Sequence, residues 1–255
     1  MSSQVFVGIS GFSYATWKGR FYPKEIGPDD FLKYYSQHLN SVEINSSFYA
    51  LPSLTTVKSW HGKTGAAFRF AFKAPRKITH LSKLGEGAAE TALDMSKNLE
   101  ALGDKRGPIL FQLPPFLRQT LNLLESFLSQ TSNIPDRVFE FRHQSWLVDS
   151  TYALLDKYDT GFCIAETEDL EPVLKTTGHL AYFRLRKDSY DAKMIEKWVT
   201  NIKKAMEDAD QTFVYLRHDE TGENAELAQK LSRFSSISGK AAVVKVAKRS
   251  WQRLS

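Results

Sequence analysis

Eight short runs with strand character punctuate the chain: "VFVGIS" (5–10), "SVEIN" (41–45), "FRFAFK" (68–73), "PILFQL" (108–113), "RVFEFR" (137–142), "GFCIA" (161–165), "LAYFRL" (180–185) and "TFVYLR" (212–217). Between most of them the apolar residues recur at helical spacing: Phe31, Leu32, Tyr35 and Leu39; Ala88, Ala92, Met95, Leu99 and Leu102; Leu121, Leu124 and Leu128; Ile195, Trp198, Ile202 and Met206. A further helix is expected over "GENAELAQKL" (222–231). Eight strand and helix alternations are the arithmetic of a parallel (β/α)8 barrel, a TIM-like α/β fold. A doubly wound open sheet also alternates. It usually has fewer strands and a glycine-rich phosphate turn after the first, and "GISGFS" lacks that full fingerprint. The sixth link, "ETEDLEPVLKTTGH" (166–179), is close to the minimum for a crossover, so a short or irregular helix is expected there.

Length and composition agree with one barrel domain over 1–255. Barrels of this kind reach 255 residues as one unit, and 42% apolar with 25% charged residues suits a chain with a real core. Residues 232–255 follow the last helical stretch. Their Lys240, Lys245, Lys248, Arg249 and Arg253 are interleaved with valines and Trp251, and the expectation is a basic extension packed on the barrel. The net charge of +5 bears on anionic partners and is weak support for nucleic acid. The single cysteine, Cys163, excludes an internal disulfide and a cysteine zinc cluster. It fits a reducing compartment. No run approaches the roughly 20 apolar residues of a membrane span, so no membrane partner is expected and the cytoplasm is the expected location.

A parallel barrel carries its active site on the loops after the carboxyl ends of the strands. Read this way, the first strand supplies Ser10, Tyr14 and Trp17; the second Glu43, Asn45 and Tyr49; the third Lys73, Arg76 and His80. The fourth supplies Gln112, the fifth Glu140, Arg142, His143 and Trp146, the sixth Glu166, the seventh Arg184 and Arg186, and the eighth Arg217, His218 and Asp219. In "VFEFRHQSW" (138–146), alternation sends Phe139 and Phe141 outward against helices and turns Glu140 and Arg142 inward or to the rim. Such charges are rarely buried alone. They form either a paired ionic layer or a polar-ligand site, and Trp17, Tyr49, His80 and Trp146 in the adjoining loops favour the site, as aromatic walls of a pocket. Arg142 is expected to pair with Glu43 or Glu166, or to stay free for an anion. Glu43 and Glu140 are candidates for acid and base, with His80 beside them. No two histidines have helix-pair ligand spacing, so no metal or cofactor is expected. The P-loop, the G-x-S-x-G elbow and a cysteine nucleophile motif are all missing. The arginines suit a carboxylate or phosphate.

The stretches "GISGFSYATWKGRFYP", "YYSQHLNSVEINSSFYALPS", "FRFAFKAPRKITH", "LGDKRGPILFQLPP" and "FEFRHQSW" together resemble the YecE-like barrel proteins, domain of unknown function family 72. The resemblance implies a TIM-like barrel with a rim site that includes Tyr14, Trp17, Glu43, Asn45, Tyr49, Lys73, Arg76, His80, Gln112, Glu140, Arg142, His143 and Trp146. It implies no particular reaction. The family's likeness in shape to barrel endonucleases suggests a phosphate or nucleic-acid ligand. "RLRKDSY" and "LRHDETGENA" depart from the family pattern after the seventh and eighth strands, while Arg184 still fits it. The expectation is therefore an enzyme-like barrel that binds a small anionic ligand at its carboxyl rim, with Arg142 and Arg184 as clamps and hydrolysis of a phosphorylated or other anionic substrate as the candidate chemistry. The alternative is a non-catalytic nucleic-acid-binding barrel.

Overall fold

The computed structural model describes residues 3–166 and 172–235. Its strands are β1 (Gln4–Ile9), β2 (Ser41–Ile44), β3 (Arg69–Lys73), β4 (Arg106–Gln112), β5 (Arg137–Glu140), β6 (Gly161–Ala165), β7 (Leu180–Leu185) and β8 (Gln211–Leu216). Its helices are α1 (Phe31–His38), α2 (Leu54–Lys63), α3 (Ala88–Leu99), α4 (Leu121–Gln130), α5 (Asp149–Lys157), α6 (Ala192–Ala205) and α7 (Glu223–Ser235). The strands run parallel in the order β1-β8-β7-β6-β5-β4-β3-β2, which curls into a nearly closed barrel. In the sixth link, residues 166 and 172–179 form no helix, and 167–171 lie outside the described residues. Of the expected C-terminal extension, 232–235 complete α7 and 236–255 lie outside the described residues.

The period-two alternation of the strands divides the core in two. Phe70, Phe72, Ile109, Phe111, Phe139, Ile164, Phe183 and Val214 face the helices. Phe6, Ala71, Leu110, Val138, Cys163, Leu180, Tyr182, Phe213 and Tyr215 fill the barrel itself. Cys163 is therefore a core residue, and burial pushes its thiol up. Helix α6 shows how the outer layer is built: Asp191 accepts from the Met194 N–H at 2.8 Å to cap its start, and Ile195, Trp198 and Ile202 recur along one buried face.

The seam between β1 and β2 has no regular ladder. One bridge joins Ser10 to Glu43, and side chains supply the remaining bonds. The Asn40 side chain accepts from the Val7 N–H at 2.7 Å and donates to the Val5 carbonyl at 2.8 Å. The Tyr35 hydroxyl accepts from the Ile9 N–H at 2.8 Å and donates to the Ser41 carbonyl at 2.9 Å. Gly8 explains the close approach, since a Cβ there would lie 2.0 Å from the Ser41 carbonyl oxygen.

The amino end of the barrel carries a separate staple. His179, just before β7, contacts Asp159 before β6 through Nδ1 and Asp136 before β5 through Nε2, each at 2.9 Å. The hydrogen bond that the imidazole donates to Asp136 leads the forces that raise its pKa to about 9. Conserving the order of three neighbouring strands is a task suited to this end, because catalysis in parallel barrels sits at the other.

Candidate functional site at the carboxyl mouth

The inward positions that are apolar inside the barrel become polar two residues further on. Ala71 leads to Lys73, Leu110 to Gln112, Val138 to Glu140 and Tyr182 to Arg184, and on β2 the already polar Ser41 leads to Glu43. A charged layer is thus stacked on the apolar one by strand alternation alone. At its centre lies Arg184, 4% exposed, with Nη2 2.8 Å from Glu43 Oε1 and Nη1 2.5 Å from Glu140 Oε2. Glu43 is fully buried. It also accepts from Ser10 Oγ at 2.7 Å, from the Tyr182 hydroxyl at 2.7 Å and from Arg186 Nη2 at 2.9 Å. Glu140 accepts from Gln112 Nε2 at 2.8 Å and Arg142 Nε at 2.9 Å. Burial pushes the Glu140 carboxyl up, but Arg184, Arg142 and the bond from Gln112 outweigh it and hold the group at about 2. Glu140 is therefore held ionised at neutral pH, the state that an anchor or a base requires and an acid does not.

Arg142 differs from its expected place. Strand β5 ends at Glu140, and Arg142 folds back from the following loop onto Glu140 instead of reaching Glu43 or Glu166. Glu166 is held by the Tyr190 hydroxyl at 2.5 Å and Lys187 Nζ at 3.2 Å. The Arg142 side chain is 39% exposed, and only its Nε is bonded among the described residues, so its terminal fork faces outward. Arg186 also bonds Ser10 Oγ at 2.7 Å and belongs to the same cluster.

Lys73 ends β3 with its Nζ 3.9 Å from the Phe48 ring centre. Burial first, then the charge of Arg184, lower it to about 8. His80 packs edge-on against the same Phe48 ring at 5.0 Å and shares a 2.9 Å bond through Nδ1 with Thr79 Oγ1. Burial, Lys73, Arg142 and Arg76 all lower its pKa, which keeps it neutral. Arg76 is exposed beside it. Asn45 follows β2, and its Oδ1 is buried without a hydrogen-bond partner among the described residues.

The expected aromatic walls are corrected. Trp17 is fully buried, donates its indole N–H to the Asp219 carbonyl at 2.7 Å and packs against Tyr14, Phe21 and Tyr22. Trp146 is buried too, donating to the Leu117 carbonyl at 2.8 Å and stacking on Phe141. Both indoles fasten loops together. Tyr49 stands 78% exposed on the rim, edge-on to Phe48. Tyr14 donates to the Ser10 carbonyl at 2.9 Å and stacks on His218, and burial followed by the charge of Glu43 raises it to about 12. His143 accepts from the Ser145 N–H at 3.1 Å through Nδ1, capping a short turn. Asp219 caps α7 by accepting from the N–H groups of Gly222 and Asn224, and Arg217 pairs with Asp188 at 2.7 Å on the surface. Tyr182 and Phe48 were not among the expected site residues. The alternation that marks Arg184 in "LAYFRL" also marks Tyr182 two places earlier, whereas Phe48 carries no periodic signal.

Among the described residues no group of three or more His, Cys, Asp or Glu is arranged to hold a metal ion, and no helix is long and apolar enough to cross a membrane.

A parallel eight-stranded barrel with a polar carboxyl mouth belongs to the TIM-barrel class. Residues 6–252 match the family model described as a protein of unknown function, DUF72, and the chain is a member of that family. It is 29% identical over 140 residues to the UPF0759 protein YecE of Escherichia coli K12, an alignment covering 54% of this chain and 48% of that one. With the UPF0759 protein YunF of Bacillus subtilis it is 26% identical over 151 residues, 56% and 52% of the two chains. These alignments span about half the length of the curated relatives. A DUF72 family protein from Thermotoga maritima superposes with a TM-score of 0.81 at 25% identity, covering 91% of this chain and 99% of the other. The D-psicose 3-epimerase of Clostridium cellulolyticum, at TM-score 0.55 and 12% identity over 92% and 98% of the chains, shares the fold.

Proposed function

We propose that the carboxyl mouth is an enzyme-like site for a small anionic ligand bearing phosphate or carboxylate, with Arg142 as the outward clamp. The observation that supports this reading is the excess of cations over carboxylates in the charged layer among the described residues: Arg142, Arg184 and Arg186 bond to Glu43 and Glu140, and Lys73 stands beside them with no ion pair of its own. Partly buried positive charge without a counter-ion is unfavourable, and a bound anion would relieve it. The Arg142 fork, unbonded among the described residues, has the planar geometry that carboxylates and phosphates take. Arg184, committed to two glutamates, serves in this reading as the scaffold that aims the layer. Acid–base work, hydrolytic or otherwise, falls to His80, because both glutamates are saturated with donors.

Melting the protein against phosphorylated and carboxylated metabolites tests the reading. A true ligand at a hundred times its dissociation constant adds about 2.7 kcal/mol to stability, and a panel with no stabilising anion would oppose it. The nucleic-acid alternative draws support from exposed aromatic and cationic groups on the rim: Tyr49 is 78% and Phe116 64% exposed, and Lys83 Nζ lies 5.5 Å from the Phe116 ring centre. Affinity for single strands that falls steeply with salt, with no small anion competing, would favour this alternative.

A further inference from the structure

Building on the anion-binding reading of the mouth, we propose that Lys73 is an amine nucleophile that condenses with the carbonyl group of an anionic aldehyde or oxo acid. Lys73 occupies the inward position two residues beyond Ala71, which lines the barrel interior, so its side chain enters the mouth from the end of β3. Its Nζ makes no hydrogen bond and no ion pair among the described residues, although Glu43 and Glu140 are close enough to act on its charge. Those carboxylates are taken by Arg184, Arg186, Arg142, Gln112, Ser10 and Tyr182. The amine is left against the apolar face of Phe48, 3.9 Å from the ring centre.

A structural lysine in such a place would normally be drawn into a salt bridge. Here the arginines outcompete it for both carboxylates, and no carboxylate among the described residues holds its nitrogen in an ion pair. The lowered pKa of about 8 agrees with this geometry. It leaves about a tenth of the amine unprotonated at pH 7, against less than about a thousandth for an ordinary lysine.

The step balances without an oxidant or reductant. The unprotonated Nζ adds to the carbonyl carbon, the nitrogen loses a proton and the carbonyl oxygen gains one, giving a carbinolamine. Loss of that hydroxyl as water leaves a C=N bond, so one amine and one carbonyl yield one imine and one water. His80, edge-on to the same Phe48 ring, is the neutral base beside the amine suited to carry the proton. The anionic group of the substrate would meet the open fork of Arg142, which restricts the substrate class to carbonyl compounds that also carry carboxylate or phosphate.

The test is reductive trapping of the wild-type protein at pH 7 with pyruvate or glycolaldehyde phosphate and cyanoborohydride, followed by peptide mass mapping. Exposed Lys33 and Lys58 serve as internal controls. We expect labelling of Lys73 at least about tenfold faster than of either control, from its larger unprotonated fraction. The Lys73→Arg variant, which keeps a cation over Phe48, should lose the preferential adduct and melt like the wild type. Labelling of Lys73 no faster than that of Lys33 and Lys58 would overturn the proposal. Melting with the same two probes, without reductant, separates this failure from that of the anion reading. Stabilisation that Arg142→Met abolishes, without a Lys73 adduct, removes the amine chemistry and keeps the anion site. No stabilisation and no adduct removes both.

Discussion

Arg184 and Arg142 touch the same carboxylate from opposite environments, and that difference sets what each substitution does. Arg184 is 4% exposed and is shared by Glu43 and Glu140. Arg184→Met leaves two buried carboxylates without their common cation, and denaturant unfolding should register a loss of about 3 to 5 kcal/mol. Arg142 is 39% exposed, and Glu140 keeps Arg184 and Gln112 when it is removed. Arg142→Met should therefore cost less than about 1 kcal/mol in the same measurement. Equal losses for the two variants would contradict this division of roles. Glu140 adds a pH signature. Its folded pKa, near 2, lies below the ordinary 4.5, so its contribution is fully present above pH 4.5 and is lost as the pH falls toward 2. The melting-temperature gap between wild type and Glu140→Gln should narrow over that window. A gap independent of pH would show that Glu140 is not held ionised by the layer.

Among the elements, the β1–β2 seam and the amino-end staple are the two places where side chains replace regular pairing. Asn40→Ala strips partners from the Val7 N–H and the Val5 carbonyl, a cost of about 2 kcal/mol. Hydrogen exchange should then quicken at Val7 while Leu110, inside the β3–β4–β5 ladder, stays protected; unchanged exchange at Val7 would mean the seam closes without Asn40. His179 is raised to about 9 from 6.5, so the stability it supplies is complete below 6.5 and is lost as the pH rises through about 9. The advantage of the wild type over His179→Asn in melting temperature should shrink across that range, and an advantage that persists above it would contradict the charged staple.

How much of this was legible in the sequence follows from what each element buries. All eight strands announce themselves because they alternate between a helix-facing and an interior set. Helices α2 and α5 do not, because "LTTVKSWHGK" buries only Val57 and "DSTYALLDK" only Thr151, Tyr152 and Leu155. Their helical character comes from tertiary packing and, for α2, from a Ser53 cap at 3.1 Å. The charged layer was legible as inward positions. Which acid each arginine takes was not, since the end of β5 at Glu140, which frees Arg142 to fold back, has no marker in "VFEFRH". Trp17 and Trp146 were misplaced for a related reason: an indole in a rim loop suits a pocket wall and a loop anchor equally well until its N–H partner is known.

Across the whole molecule, the barrel separates two kinds of electrostatics. At the amino end His179 is bonded to two carboxylates, Asp136 and Asp159, which leave its positive charge fully compensated. In the charged layer at the carboxyl mouth, among the described residues, Arg142, Arg184, Arg186 and Lys73 outnumber Glu43 and Glu140, and the Arg142 fork is unbonded. The measurement that bears most directly on this asymmetry is parallel melting of the wild type and Arg142→Met across one panel of phosphorylated and carboxylated metabolites at low and moderate salt. The anion-site reading predicts at least one small anion that stabilises the wild type in proportion to the logarithm of its concentration, with little or no effect on an Arg142→Met variant whose unliganded melting is nearly unchanged. Equal stabilisation of both proteins, or stabilisation of neither by any anion in the panel, would contradict it.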